Sequence, residues 1–364
     1  MPWKPGNSGQ VDPHPLVVTA RRVAAEVLVP AAQRVDRTEV PAEHVRVLAD
    51  AGLLAPTAPV EVGGGGAPAA VGREVAEVLS GACGATWFVT TQHHLPVRTL
   101  VETENQPLRD RWLVACASGD VLTGIALAHL RRPRAAVAGR PVPGGWRVSG
   151  EVPWFTSWGL AELVLLGFRD GTDVVFALVP ARDQPGFTAG PRLPLAAMQA
   201  ARTVTIALDD YPVPDAALVG RWPFDEWAAR DAATTANVTP AVFGLLDAVL
   251  TRLQAEGERR DEPTTVALAA RLRSDAEQVR AEAYALVDDV APGGRSTERL
   301  ALRAAALDLL TTATTGLVAA GAGASMSLDH PAQRWAREAL FHLIQAQTPA
   351  VRAATLERLA RRQG

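Results

Sequence analysis

The chain has 364 residues, 48% of them hydrophobic and 21% charged, which is enough apolar material for a large core and more length than one domain usually carries. A net charge of -3 gives no attraction to phosphate backbones or anionic lipid, so nucleic acid and membrane surfaces are not expected partners. Every basic residue except Lys4 is Arg, and Lys4 sits in a Pro- and Gly-rich start; a phosphate-cradling Lys, a kinase strand Lys and a Schiff-base Lys are missing from every predicted element.

Cys83 and Cys116 are too few for a four-Cys zinc site or a disulfide framework, so no metal is expected and a reduced, cytoplasmic protein is. No basic flank followed by an apolar run marks a signal peptide. HExxH and GxSxG do not occur, and Gly63 to Gly66 run into Pro68 where a dinucleotide fold needs a helix packed on a strand.

In chain order, residues 1–15 read as a mobile start, after which helical spacing begins. Leu16, Ala20, Val23 and Val27 make one apolar stripe; Val45, Leu48 and Ala49 make another after Pro41, with Gly52 just past that helix. Val71, Val75, Val78 and Leu79 give a third, and Leu108, Trp112 and Cys116 a later one, so 1–119 is predicted as an α-helical domain. Over 120–223 short apolar runs cut by turn residues take over, with strands predicted at 121–127, 146–149, 163–167, 174–179 and 203–208 in a compact β domain. From Phe224 the helical period returns and persists to Leu359, broken at Pro263, at Pro292-Gly293-Gly294 and at Pro331; about four or five long helices fit a bundle over 224–364. The uncharged run 311–328 reads as a tightly packed interior helix rather than a membrane span. The fold class is α+β, and no internal repeat accounts for the order of segments.

That order resembles the acyl-CoA dehydrogenase superfamily of flavoproteins, over nearly the whole chain. Asp50-Ala51-Gly52-Leu53-Leu54, then Pro59 and Gly63-Gly64, is similar to the first-domain signature. Gly145-Trp146-Arg147-Val148-Ser149-Gly150, then Pro153-Trp154-Phe155-Thr156, resembles the hairpin and flavin-contacting strand. Leu208-Asp209-Asp210, Val213-Pro214 and Leu218-Val219-Gly220 resemble the close of the β domain. Pro331-Ala332-Gln333-Arg334 with Arg337-Glu338 resembles a C-terminal helix start, Glu338 standing where Asp is usual. The order and spacing of these short motifs carry the resemblance.

Trp154 and Thr156, two residues apart, are expected to share a strand face and to offer a flat apolar partner and a hydroxyl donor to an isoalloxazine ring, with Phe155 between them. An edge-strand aromatic beside a strand-favouring Thr is the other reading. The resemblance also implies an Arg reaching the FAD pyrophosphate from a neighbouring subunit. Counted from Gly244 this is Arg260, although the expected Phe-Gly after it is Pro263-Thr264; a solvated surface Arg is the alternative. Gly321 and Gly323 stand in the family's glycine-rich stretch near the adenine half of FAD, or simply in a packed helix terminus.

Departures from the family pattern concern the chemistry. Where members carry Thr-Glu-Pro and Gly-Ser-Asp, this chain has Ala128-His129-Leu130-Arg131-Arg132-Pro133-Arg134, so a flavin hydroxyl donor is missing near Ala128. Dehydrogenation needs a carboxylate to take the α-proton, yet the two base positions fall on Ala346 and Thr234. Asp231 and Glu226 lie nearby and read as helix caps or first-turn charges. A monooxygenase branch of the same fold needs instead a water-poor pocket and a donor beside the flavin. His342, one turn before Ala346, and the pair His93 and His94 are the candidate catalytic residues, with core or interface histidines as the plain alternative.

The expectation is a flavin-dependent oxidoreductase of this type, with FAD, or FMN as the alternative, acting on an acyl thioester or related small molecule without the standard Glu. A monooxygenase using reduced flavin and O2, and a catalytically silent FAD-binding partner subunit, are the alternatives. A flavin reductase or electron-transfer flavoprotein is the expected redox partner, and a homodimer or homotetramer the expected assembly.

Overall fold

The computed structural model describes residues 13–132 and 134–361. The expected mobile start therefore lies outside the described residues through position 12. Its last residues are ordered, because Pro15 opens a helix whose Leu16 N–H donates to His14 Nδ1 at 3.2 Å. Helix α1 (Pro15–Val23) continues through a π-helical turn, Ala24–Leu28, into α2 (Val29–Arg37). The wider turn shifts the apolar stripe by one residue, so Leu28 rather than Val27 is fully buried. Then come α3 (Ala42–Asp50), α4 (Ala69–Ala82), α5 (Gly84–Glu102) and α6 (Gln106–Ser118), the last ending on Gly119 in the left-handed conformation at φ 86°.

Eight strands follow: β1 (Thr123–Ala126), β2 (Val137–Val142), β3 (Gly145–Phe155), β4 (Leu163–Asp170), β5 (Asp173–Pro180), β6 (Phe187–Ala189), β7 (Val204–Pro214) and β8 (Leu218–Pro223). Their order is β6-β7-β3-β2-β4-β5-β8, with β1 lying parallel to the first half of β4. Strands β2, β6 and β8 were not signalled by apolar runs: β2 carries Gly139 and Pro141, β6 has three residues and β8 includes Gly220, so propensity is weak and neighbouring strands supply the pairing.

Among the described residues the remaining chain forms six helices rather than four or five: α7 (Phe224–Thr235), α8 (Pro240–Arg260), α9 (Pro263–Asp289), α10 (Ser296–Gly321), α11 (Pro331–Ile344) and α12 (Pro349–Ala360). Pro240 and Pro349 each open a helix, where a missing N–H costs nothing. The run 311–328 is interior only in part: α10 ends at Gly321, and Met326 and Leu328 are exposed. By length and composition 224–260 and Ser296–Met326 could cross a membrane, but 61% of each apolar window is buried in the fold. One core joins the first helices to a face of the sheet, a second runs through α8, α9, α10 and α11, and a third lies between the other sheet face and α5 and α6.

Candidate active site at the sheet and helix junction

At the end of β3 the pairing with β7 is irregular between Val152 and Phe155. Expected alternation stops there, and Trp154 and Thr156 do not share an environment: the Trp154 ring is 50% exposed and Thr156 is buried. The Thr156 hydroxyl lies 3.3 Å from Thr203 Oγ1. Phe155 is buried, edge-on to Trp158 at 6.1 Å, so its ring belongs to the core. Ser157 follows at φ 73°, its buried Oγ unpartnered, while its N–H donates to Ala201 O at 2.8 Å. An open flat aromatic thus stands next to two buried hydroxyls.

Ala128 is exposed at the start of a 3-10 turn, Ala128–Arg131, and presents no donor side chain. His129 beside it is buried and donates from Nε2 to Gly167 O at 2.8 Å. Arg131 makes a bidentate pair with Asp231 at 2.7 Å on both arms. Asp231 is therefore not a helix cap but an ion-paired residue in the second half of α7, and Glu226 is an exposed first-turn acid. Thr234 also faces solvent, with its hydroxyl on Arg230 O, and it is Thr235 that turns inward.

His93 is placed as a structural residue. Its Nε2 donates to Cys116 O at 2.8 Å, and its Nδ1 accepts from the Thr123 N–H at 3.0 Å and the Thr123 hydroxyl at 2.8 Å. Both nitrogens are engaged in tying α5 to α6 and β1, and burial pushes the pKa down to about 4. This corrects the catalytic expectation for His93. His94 is partly exposed, and the surrounding protein with Arg98 holds its pKa down at about 4.

His342 differs. It is buried on α11 with its Nδ1 unpartnered and its pKa pushed down to about 4 by burial, with Arg303 adding to the effect. Its ring packs 5.5 Å from Trp87 of α5, whose buried indole N–H is also unpartnered, and Phe341 lies 4.6 Å from Phe88. One turn earlier on the same seam, Glu338 is buried against Gly84, where a Cβ would come within 2.8 Å of the carboxyl carbon. Arg334 donates to Glu338 at 3.3 Å, yet burial still raises the Glu338 pKa to about 7. Ala346 follows α11 in the left-handed region at φ 48° and carries no ionisable group. Sequence patterning did not single out Arg303 of α10, which is buried and bridges this region by donating to Thr235 O and, at 2.7 Å, to Gln345 O. An Arg in an apolar helical stripe was the available signal.

Arg260 and Gly321 are brought together within one chain: Arg260 donates to Gly321 O at 3.3 Å. Around the buried Glu256 stand Arg252 at 2.5 Å, Arg259, and Arg260 at 3.8 Å, so three guanidinium groups surround one carboxylate. The Arg260 Nε is the atom at 3.8 Å from Glu256, and it is buried without a hydrogen bond. Gly321 is buried, and a Cβ there would lie 2.0 Å from Ser325 Oγ; Gly323 is exposed in open space.

Residues 14–120 match the acyl-CoA dehydrogenase N-terminal domain family. The chain is 24% identical over 212 residues to the short-chain specific acyl-CoA dehydrogenase of Bos taurus, a match covering 56% of this chain and 52% of that one. It thus spans about half the length of the curated relatives it matches. Butyryl-CoA dehydrogenase from Megasphaera elsdenii superimposes with a TM-score of 0.82 at 16% identity, over 97% of this chain and 100% of the other. Dibenzothiophene monooxygenase from Paenibacillus superimposes with a TM-score of 0.77 at 16% identity, over 95% of each chain. The chain thus has a segment, residues 14–120, that matches the acyl-CoA dehydrogenase N-terminal domain, and as a whole it shares the fold of the acyl-CoA dehydrogenases.

Proposed function

We propose that the chain is a flavin-dependent oxidoreductase of acyl-CoA dehydrogenase type, with FAD as cofactor and FMN as the alternative, acting on an acyl thioester or related small molecule. The observation that carries this is the half-exposed Trp154 beside the buried Thr156 hydroxyl. The donor set fits a flavin at both ends. A flat ring gains stacking on Trp154 and a hydrogen bond from Thr156, while Arg260, one of three guanidinium groups around the single carboxylate of Glu256, suits a diphosphate. When bound, the flavin supplies the hydride-transfer chemistry. The protein's own part is to orient the ring by Trp154 and Thr156 and to keep water from the reacting face with the aromatic seam of Trp87, Phe88, Phe341 and His342.

A second reading, a monooxygenase that uses reduced flavin and O2, is favoured by the state of the carboxylates. Asp231 is tied to Arg131, Glu338 to Arg334, and neither Ala346 nor Thr234 offers a base. A cytoplasmic homodimer or homotetramer, served by an electron-transfer flavoprotein in the first reading and a flavin reductase in the second, completes the proposal. The test is the visible spectrum of the pure protein and the identity of its heat-released cofactor, followed by anaerobic addition of butyryl-CoA. Flavin that bleaches supports the dehydrogenase, and flavin that yields oxygenated product only with a reductase supports the second reading. Bound flavin that does neither marks a silent partner subunit, and a protein that binds no flavin overturns the proposal.

A further inference from the structure

Helix α11 is held differently on its two sides. Toward α2 it makes short polar contacts: Arg334 donates from Nε to Gln33 Oε1 at 2.6 Å, and Arg337 pairs with Asp36 at 2.5 Å. Toward α5 it buries polar atoms without partners. The seam runs from Glu338 on Gly84 to His342 on Trp87, one turn along each helix, and Glu338 Oε2, His342 Nδ1 and the Trp87 indole N–H within it make no hydrogen bond. These three side chains are only 2–3% exposed, so bulk solvent does not reach them while the seam is closed.

Glu338 is the acid of this seam. Its Oε1 accepts from Arg334 Nη1 at 3.3 Å, a long contact for an ion pair, while the shorter bond of that guanidinium goes to Gln33. A Cβ at Gly84 would stand 2.8 Å from the carboxyl carbon and 2.9 and 3.0 Å from its oxygens, so the backbone of α5 closes directly over the group. A neutral carboxyl tolerates an unmet bond there far better than a carboxylate, which would lack both a second donor and a close counter-charge. Burial accordingly raises the Glu338 pKa to about 7 against the pull of Arg334 and Arg337, with Asp36 adding to the rise. Neighbouring groups behave otherwise. Burial pushes the His342 pKa down to about 4 and the Cys83 thiol up, so both are uncharged near neutrality. His44 of α3, 3.4 Å from Thr86 of α5, has its pKa lowered by burial and gains charge as pH falls, the opposite sense to Glu338.

We infer that the α5–α11 seam is a pH-operated gate: a protonated Glu338 keeps the two helices closed from Gly84 to His342, and its ionisation parts them and opens Trp87 and His342 to water. The closed seam favours the neutral carboxyl and the open seam the carboxylate, so opening grows as pH rises from about 4.5 toward 7 and levels off above that. In the functional reading above this seam is the wall that excludes water, and the gate confines a dry site to the acid side of neutrality. The gate itself stands on the packing of α11 against α5 and needs no flavin.

Amide hydrogen exchange read by mass spectrometry on the full-length protein, corrected for the intrinsic pH dependence of exchange, is the test. Protection over 84–88 and 338–344 is expected to fall at least about 10-fold from pH 5 to pH 7, and at pH 7 to lie at least about 10-fold below that of strands β4 and β5, because the seam opens without unfolding the sheet. Glu338→Gln, neutral at every pH, should keep the seam closed and remove the dependence. Should that variant fail to fold, the wild-type profile still decides. Seam protection that is flat or rises with pH, that equals β4 and β5 throughout, or that falls unchanged in Glu338→Gln would overturn the gate. The visible flavin band is recorded on the same sample. A colourless protein whose seam titrates upholds the gate and overturns the functional reading, whereas a yellow protein with a pH-insensitive seam overturns the gate alone.

Discussion

The end of β3 and the junction of α7, α10 and α11 are built on opposite principles. At the strand end an apolar ring is left open while the hydroxyls beside it are tucked in. At the helical junction apolar surface is closed, and His342 Nδ1 and the Trp87 indole N–H are buried without a hydrogen-bond partner, while the buried Arg303 donates to Thr235 O and Gln345 O. The first arrangement suits a flat partner held by stacking. The two lie on different elements, and the positions Ala346 and Thr234 on the helical side carry no carboxylate.

The largest expected effect tests whether the buried helical side depends on pairing. Arg334→Ala leaves Glu338 uncompensated between α11 and Gly84 and should cost about 3–5 kcal/mol in denaturant unfolding. The pH dependence has a definite sign. With its folded pKa raised to about 7 from 4.5, Glu338 holds its proton longer in the native state, so stability should fall as pH rises across that window. Glu338→Gln should flatten that slope, and an unchanged slope would show that Glu338 is not the titrating group.

The two arginines of α10 sharpen the contrast further. Arg299→Met strands five oxygens and should lose about 3 kcal/mol or more, whereas Arg303→Met strands only two, Thr235 O and Gln345 O, and should lose less. Equal losses in thermal or chemical unfolding would mean that Arg303 is as fully satisfied as Arg299. The smallest effect belongs to the open side. Trp154→Ala should leave stability nearly unchanged, because the ring is half exposed, yet weaken flavin binding by about 1 kcal/mol or severalfold in a fluorescence titration. Unaltered flavin affinity in that variant would place the ring elsewhere.

Helix, sheet and bundle were legible as segments because each leaves a period in the sequence. The stripes before Gly52 and around Val75 lie in helices, and the runs at 163–167 and 174–179 lie in strands β4 and β5. Strands β2, β6 and β8 were not legible, since they contain glycine or proline or are very short and exist through pairing with neighbours. The site was legible in part. Trp154 and Thr156 could be named from their motif, but the irregular end of β3 decided which one is open and which is closed. Histidines were visible as candidates, yet a histidine's role depends on what reaches its two nitrogens: Cys116 and Thr123 engage His93 fully, while His342 keeps one nitrogen free. Arg303 was invisible as anything but a charge on a helix.

By itself the sequence determined the order of helical and strand regions, the want of a carboxylate at Ala346 and the presence of an aromatic and hydroxyl pair near 155, because these follow from residue identity and local period. Only the tertiary structure decided which Thr of α7 turns inward, that Cys116 and Thr123 engage both nitrogens of His93, and that the His342 ring of α11 packs against Trp87 of α5. Burial and hydrogen-bond pairing are properties of contacts between distant segments, and no local pattern encodes them.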